Sequence, residues 1–201
     1  GAMEVCNAIA SLMKLEPNQC PSRIVYDSCN PATLARDAGI LVALQSESPK
    51  SAMLLAKDPQ TNVNVENQLG ETPLMLAAIN NQIELAHVLI ERGADINRQG
   101  WTPLHYAAAK GHREMMRLLL AHDAYIDSEA ANATTPLMMA AFSTSSLAVK
   151  LLLEEGADPT LVNHANASAL DIALSKGHEQ SAFYIKAFIE AWYIQNPLSE
   201  E

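Results

Sequence analysis

One short phrase returns in register along this chain, and it limits the available folds more than anything else. Thr72-Pro73-Leu74, Thr102-Pro103-Leu104 and Thr135-Pro136-Leu137 each lead, at the same distance, into Ala77-Ala78, Ala107-Ala108 and Ala140-Ala141. A weaker copy starts at Ser168-Ala169-Leu170, so successive copies step by 30, 33 and 33 residues. Leu89-Ile90, Leu119-Leu120 and Leu152-Leu153 keep the same spacing ahead of Gly93-Ala94-Asp95, Asp123-Ala124 and Gly156-Ala157-Asp158. A fixed period of this length is the mark of a solenoid, in which each copy is one supersecondary unit.

Each copy reads as helix, turn, helix, extended turn. Threonine before proline is a good N-cap, and proline suits the first helical position because its missing N–H would have no partner there. The alanine pair lets the first helix lie close to its neighbours. Gly111-His112 and Gly177-His178 break that helix, and Met115, Met116, Leu118, Leu119 and Leu120 then follow at helical spacing. Gly93 and Gly156 supply a left-handed stop. No single unit can bury its own apolar face, so the copies have to stack.

These residues resemble the ankyrin repeat, whose hallmark is Thr-Pro-Leu-His, then Ala-Ala, then Leu-Leu before Gly-Ala-Asp; Gly100-Trp101-Thr102-Pro103-Leu104-His105-Tyr106-Ala107-Ala108 matches best. That stretch and Thr134-Thr135-Pro136-Leu137-Met138-Met139-Ala140-Ala141 look most like ankyrin proteins of proteobacteria. The fold class implied is all-α: a solenoid of helix-turn-helix units with extended turns and an N-terminal helical cap. Residues 1–3 read as a cloning scar, 4–36 as the cap and 37–65 as a degenerate repeat. Four repeats with a capping C-terminal helix follow over 66–194, and 195–201 form a tail. A leader upstream of Gly1-Ala2-Met3 would have been lost with the scar.

Departures from the pattern carry expectations of their own. The 30-residue step removes three residues from the finger between Asn97 and Gly100, which should leave a notch beside Trp101. Ala133 and Asn166 stand where the pattern has glycine, so the turn at Ala130–Thr134 should be irregular. Asp171 replaces the histidine found at His105, which puts the packing of the fourth copy in question.

The search for chemistry yields little. His105 falls where the ankyrin pattern uses histidine to tie neighbouring loops, and His112 and His178 fall in the Gly-His break. His87 and His122 are expected in solvent on second helices. No His-Glu-x-x-His, phosphate loop or nucleophile elbow is present. The reading is therefore a non-enzyme without catalytic residue, cofactor or metal. Cys6, Cys20 and Cys29 all lie in the first 30 residues. A Cys20–Cys29 disulfide is sterically allowed and would favour an oxidising compartment; three reduced thiols fit equally. The location stays open, with the bacterial periplasm set slightly ahead of the cytoplasm. No run of roughly 18 apolar residues suggests a membrane span.

What the resemblance implies is a protein-binding surface made of finger turns and first-helix ends. Position by position it comprises Gln68, Leu69, Glu71, Ile79 and Asn80, then Arg98, Gln99, Trp101 and Lys110. Asn132, Thr134, Phe142 and Ser143 follow, with His164 and Lys176 last. Leu69, Ile79, Trp101 and Phe142 are unusually apolar for exposed positions; they are either contacts for a partner or packing between repeats. With 23 acidic against 13 basic residues the formal net charge is -10, which disfavours nucleic acid and suits a basic protein or solubility alone. The expected role is sequestration or inhibition of one partner, as by a bacterial immunity protein facing a toxin. An accessory factor for a periplasmic or membrane-associated enzyme and a host-directed effector are the alternatives. A capped solenoid is expected to be monomeric.

Overall fold

The computed structural model describes residues 31–46 and 48–195. Among them the chain forms five helix pairs. The first helices are α1 (Pro31–Gln45), α3 (Pro73–Ile79), α5 (Pro103–Lys110), α7 (Pro136–Phe142) and α9 (Ala169–Ser175). Their partners are α2 (Pro49–Lys57), α4 (Ile83–Glu91), α6 (Arg113–Ala121), α8 (Ser146–Glu154) and α10 (Glu179–Gln195). First helices pack on first helices and second on second, in chain order, so the molecule is a two-layer stack.

Why each pair forms is visible locally. Thr72 and Thr135 accept the N–H of Met75 and Met138, each at 3.4 Å, which caps α3 and α7. Ser168 and Asp171 cap α9 reciprocally: Ser168 Oγ accepts the Asp171 N–H at 3.2 Å, and Asp171 accepts the Ser168 N–H at 2.9 Å. That exchange answers the question about the fourth copy. Asp171 serves its own helix and is held below the usual carboxylate range by hydrogen bonds from Ser168.

The alanine pairs at 77–78, 107–108 and 140–141 are fully buried between first helices. Larger side chains fill the space between layers, among them Leu74, Leu89, Leu104, Met115, Met116, Leu119, Leu137, Met138 and Leu152. Burying such a side chain is worth about 1.5–3 kcal/mol. Small residues in one row and large ones behind it hold the first helices closely together.

Two expectations need adjusting. The boundary drawn between residues 36 and 37 cuts through one continuous helix, because Pro31 opens α1 and it runs unbroken to Gln45. Gln195, placed in the tail, belongs to α10. Residues 1–30, which hold the three cysteines and most of the cap placed at 4–36, lie outside the described residues, as do 196–201. Among the described residues no helix is long and apolar enough to cross a membrane.

Candidate functional site: fingers and first-helix ends

The fingers close in a common way, with one exception. Asn67, Ala130 and Asn163 each donate their N–H to the carbonyl four residues on, at Glu71, Thr134 and Ala167. Gly70, Ala133 and Asn166 then adopt φ of 76°, 57° and 56°. Ala133 therefore sits in the left-handed region at some cost to its Cβ, but the Ala130–Thr134 turn closes as the others do, so the irregularity expected there is not found. The second finger is three residues shorter, and no equivalent closing bond forms there. Gly100 still turns left-handed at 84°.

The expected notch is partly filled from within. Arg98 donates to the Gly70 carbonyl at 2.9 Å and pairs with Glu66 at 3.0 Å. The guanidinium thus replaces the missing backbone, so Arg98 is a strut between fingers more than a free contact. Trp101 remains 38% exposed, its ring edge-on to His105 with centroids 5.2 Å apart.

His105 does what the pattern implies. Its Nδ1 accepts the Thr102 N–H at 3.2 Å and faces the Thr102 hydroxyl at 2.9 Å. Its Nε2–H donates to the Thr134 carbonyl at 2.9 Å, so one ring caps α5 and ties the next finger. Acceptance at Nδ1 requires the neutral ring, and burial, outweighing the hydrogen bond to the Thr134 carbonyl, lowers its pKa below the ordinary histidine value. His112 and His178 likewise reach back one repeat, to the carbonyls of Ile79 and Ala141, each at 3.0 Å.

The rest of the anticipated surface divides. Gln68, Leu69, Asn80, Gln99, Lys110, Asn132, His164 and Lys176 are exposed, with Leu69 at 81%. Phe142 is 53% exposed, and the Lys176 ammonium lies 4.1 Å from its ring centroid, joining two members of the set across repeats. Ser143 is half-buried and bonds to the Ala140 carbonyl at 3.0 Å. Three further members are less accessible than the exposed ones. Thr134 is only 7% exposed, because it packs under the finger whose carbonyl His105 holds. Ile79 is half-buried and packs against the core, the packing alternative. Glu71 is partly buried, anchored by the Asn67 amide at 2.7 Å. His87 and His122 are exposed, their rings 6.1 Å apart; His122 lies just past α6 rather than on it.

Sequence reasoning passes over Arg92 entirely. Its guanidinium donates to four carbonyls of the preceding unit: Ala56 at 2.8 Å, Asp58 at 2.6 Å, and Pro59 and Thr61 at 3.0 Å each. The available signal was the longer turn after Lys57, which leaves carbonyls in need of donors.

Comparison with known proteins agrees with this geometry. The family model described as ankyrin repeats, three copies, matches residues 40–130, and the single ankyrin-repeat model matches 132–164. The Caenorhabditis elegans ankyrin repeat and KH domain-containing protein mask-1 is 35% identical over 152 residues, covering 72% of this chain and 6% of that protein. The rat ankyrin repeat and SAM domain-containing protein 6 is 39% identical over 85 residues, which is 40% of this chain and 10% of the relative. The chicken nuclear factor NF-kappa-B p105 subunit is 32% identical over 126 residues, covering 59% and 13% respectively. The chain thus spans about an eighth or less of the length of these relatives. Ankyrin stacks are in general non-catalytic scaffolds for protein–protein interaction. A helix-pair stack with capped first helices, buried alanine pairs and histidine-tied fingers, matched by family models over most of its described length, places this chain in the ankyrin-repeat family.

Proposed function

We propose that this chain binds a protein partner through the face formed by its fingers and first-helix ends. The observation that carries the reading is that Leu69, Trp101 and Phe142 stay exposed on that face in three successive repeats, although each is apolar. Apolar exposure of this kind favours association, and tryptophan is enriched among the residues that dominate binding energy. The surrounding stack holds these side chains on a fixed frame, which limits the ordering cost of binding.

A broad, fixed face acts on its partner by covering a surface. The consequence proposed is occlusion: sequestration or inhibition, which in a bacterium is the work of an immunity protein. The excess of acidic residues supports a basic partner, met by one copy of the chain.

The test is affinity capture with the parent chain and two double variants whose helix content is first verified by circular dichroism. Trp101→Ala/Phe142→Ala removes the proposed contacts. Leu147→Ala/Phe183→Ala removes exposed apolar groups from the second-helix row. The reading expects one protein retained by the parent and the second variant, and lost with the first. Retention by the first and loss with the second would move the binding surface to the opposite side.

A further inference from the structure

The shortened finger gathers groups that the stacking itself does not use. Trp101 and Tyr106 lie with ring centroids 6.0 Å apart and planes inclined at 41°. Trp101 is exposed and Tyr106 only partly buried. Glu71 and Arg98 both act on the charge of the Tyr106 phenol, and the Gly70 carbonyl that Arg98 holds adjoins Glu71. Arg98 is committed to Glu66 and to the Gly70 carbonyl. Glu71 is held only by a neutral donor, the Asn67 amide at 2.7 Å, and among the described residues no ion pair includes it. The neighbourhood therefore carries a carboxylate in surplus.

The phenol of Tyr106 senses that surplus. Burial raises its pKa most, the charge of Glu71 raises it further, and Arg98 lowers it by less. Elsewhere in the molecule the chain's own cations cover aromatic rings: Lys176 on Phe142 and Lys150 on Tyr184. Among the described residues neither Trp101 nor Tyr106 carries such a cover. Aromatic faces attract cations through their quadrupoles, and a carboxylate beside them adds a charge-assisted hydrogen bond.

We propose that Trp101, Tyr106 and Glu71 form a site for one cationic side chain, arginine or lysine, of a protein partner. This rests on the protein-binding reading and names the chemistry of its central contact. The net charge of -10 favours approach of such a partner. The three missing finger residues are what leave the indole within reach.

The experiment needs no identified partner. The intact chain, labelled with nitrogen-15, is titrated with N-acetyl-arginine methylamide and, separately, with the neutral citrulline analogue. The indole N–H of Trp101 is told from that of Trp192 by a Trp192→Phe variant. Arginine should displace the Trp101 indole signal and the amides of residues 70–72, 101, 102 and 104–106 along one saturable curve, and citrulline should not. Glu71→Gln should weaken the response about fivefold. Trp101→Leu, read from the amides, should weaken it about tenfold or more. An equal response to citrulline, an unchanged response in Glu71→Gln, or no response to arginine would each overturn the site. Any of these leaves the capture experiment standing. A positive titration with no captured protein would instead count against the protein-binding reading.

Discussion

Two junctions in the stack do the same job by different means. Between the second and third repeats, one buried histidine bonds to its own helix start and to the next finger, as the family pattern implies. Between the degenerate repeat and the first clear one, the link is Arg92, an arginine that no motif marks, reaching four carbonyls of an irregular turn. Arg36 and Asp37 reinforce the same turn, through a pairing with Asp58 at 3.3 Å and acceptance of the Asn62 N–H at 2.8 Å. The difference teaches that a regular junction needs one residue of the right shape at the right register. An irregular one needs a long, multiply donating side chain that can find whatever carbonyls are left over.

The comparison can be broken most directly at Arg92. Arg92→Ala should cost about 3 kcal/mol, because partly buried carbonyls lose a charged donor, measured by urea denaturation. Arg92→Lys should recover little of this, since an ammonium cannot span four acceptors as a planar fork does. A loss under about 0.5 kcal/mol would mean that water replaces the guanidinium without penalty.

His105→Ala should cost about 2 kcal/mol, through loss of the cap and the link to Thr134. The histidine also brings a pH dependence whose sign is determined. Its folded pKa lies below the unfolded value, so the contribution is complete above about pH 6.5. It is lost as pH falls through the folded pKa, because the unfolded chain takes up the proton first. Denaturation midpoints of the parent and His105→Ala should therefore converge on acidification. A gap that widens at low pH would contradict the neutral-ring assignment.

A smaller effect sharpens the comparison at the third junction. Asn64 and Asn97 clamp the following repeat at two points, accepting the N–H of Asp95 and Tyr125 and donating to the carbonyls of Gly93 and Asp123. Asp127 holds the corresponding place and accepts the Asp158 N–H at 3.1 Å, but its carboxylate has no proton to donate. Burial raises its pKa most, the Asp158 N–H lowers it, and the Asp158 charge raises it. Asp127→Asn should stabilise the chain by about 1 kcal/mol at neutral pH, with the gain shrinking as acid protonates the parent; a loss of stability would refute the clamp. The smallest change is Ala133→Gly, which relieves a left-handed alanine and should add about 0.5 kcal/mol, after the flexibility of glycine is set against it. Thermal melts resolve that sign.

Much of the fold was legible because its signals are local and repeated. Thr-Pro placed the helix starts, the alanine pairs marked the close-packed row, and Gly93, Gly111 and Gly156 marked the stops. His105 was legible for the same reason. The binding surface was legible only as a register. Thr134, Ile79 and Arg98 hold positions that face outward in the pattern, yet here one is buried beneath a finger, one is half-buried against the core and one braces the gap left by the deletion.

What the sequence by itself determined is the stack: which segments are helices, where they stop, and that they must pile up to bury their apolar faces. What only the tertiary structure decided is the pairing of groups about 30 residues apart, such as Arg92 with Thr61, Arg98 with Gly70 and Glu66, and Asp127 with Asp158. Helix starts and stops depend on neighbours a few bonds away, which a sequence displays directly. Long polar side chains reach 5 Å or more (~1.3 Å per bond), and their partners are set by how neighbouring repeats come to rest.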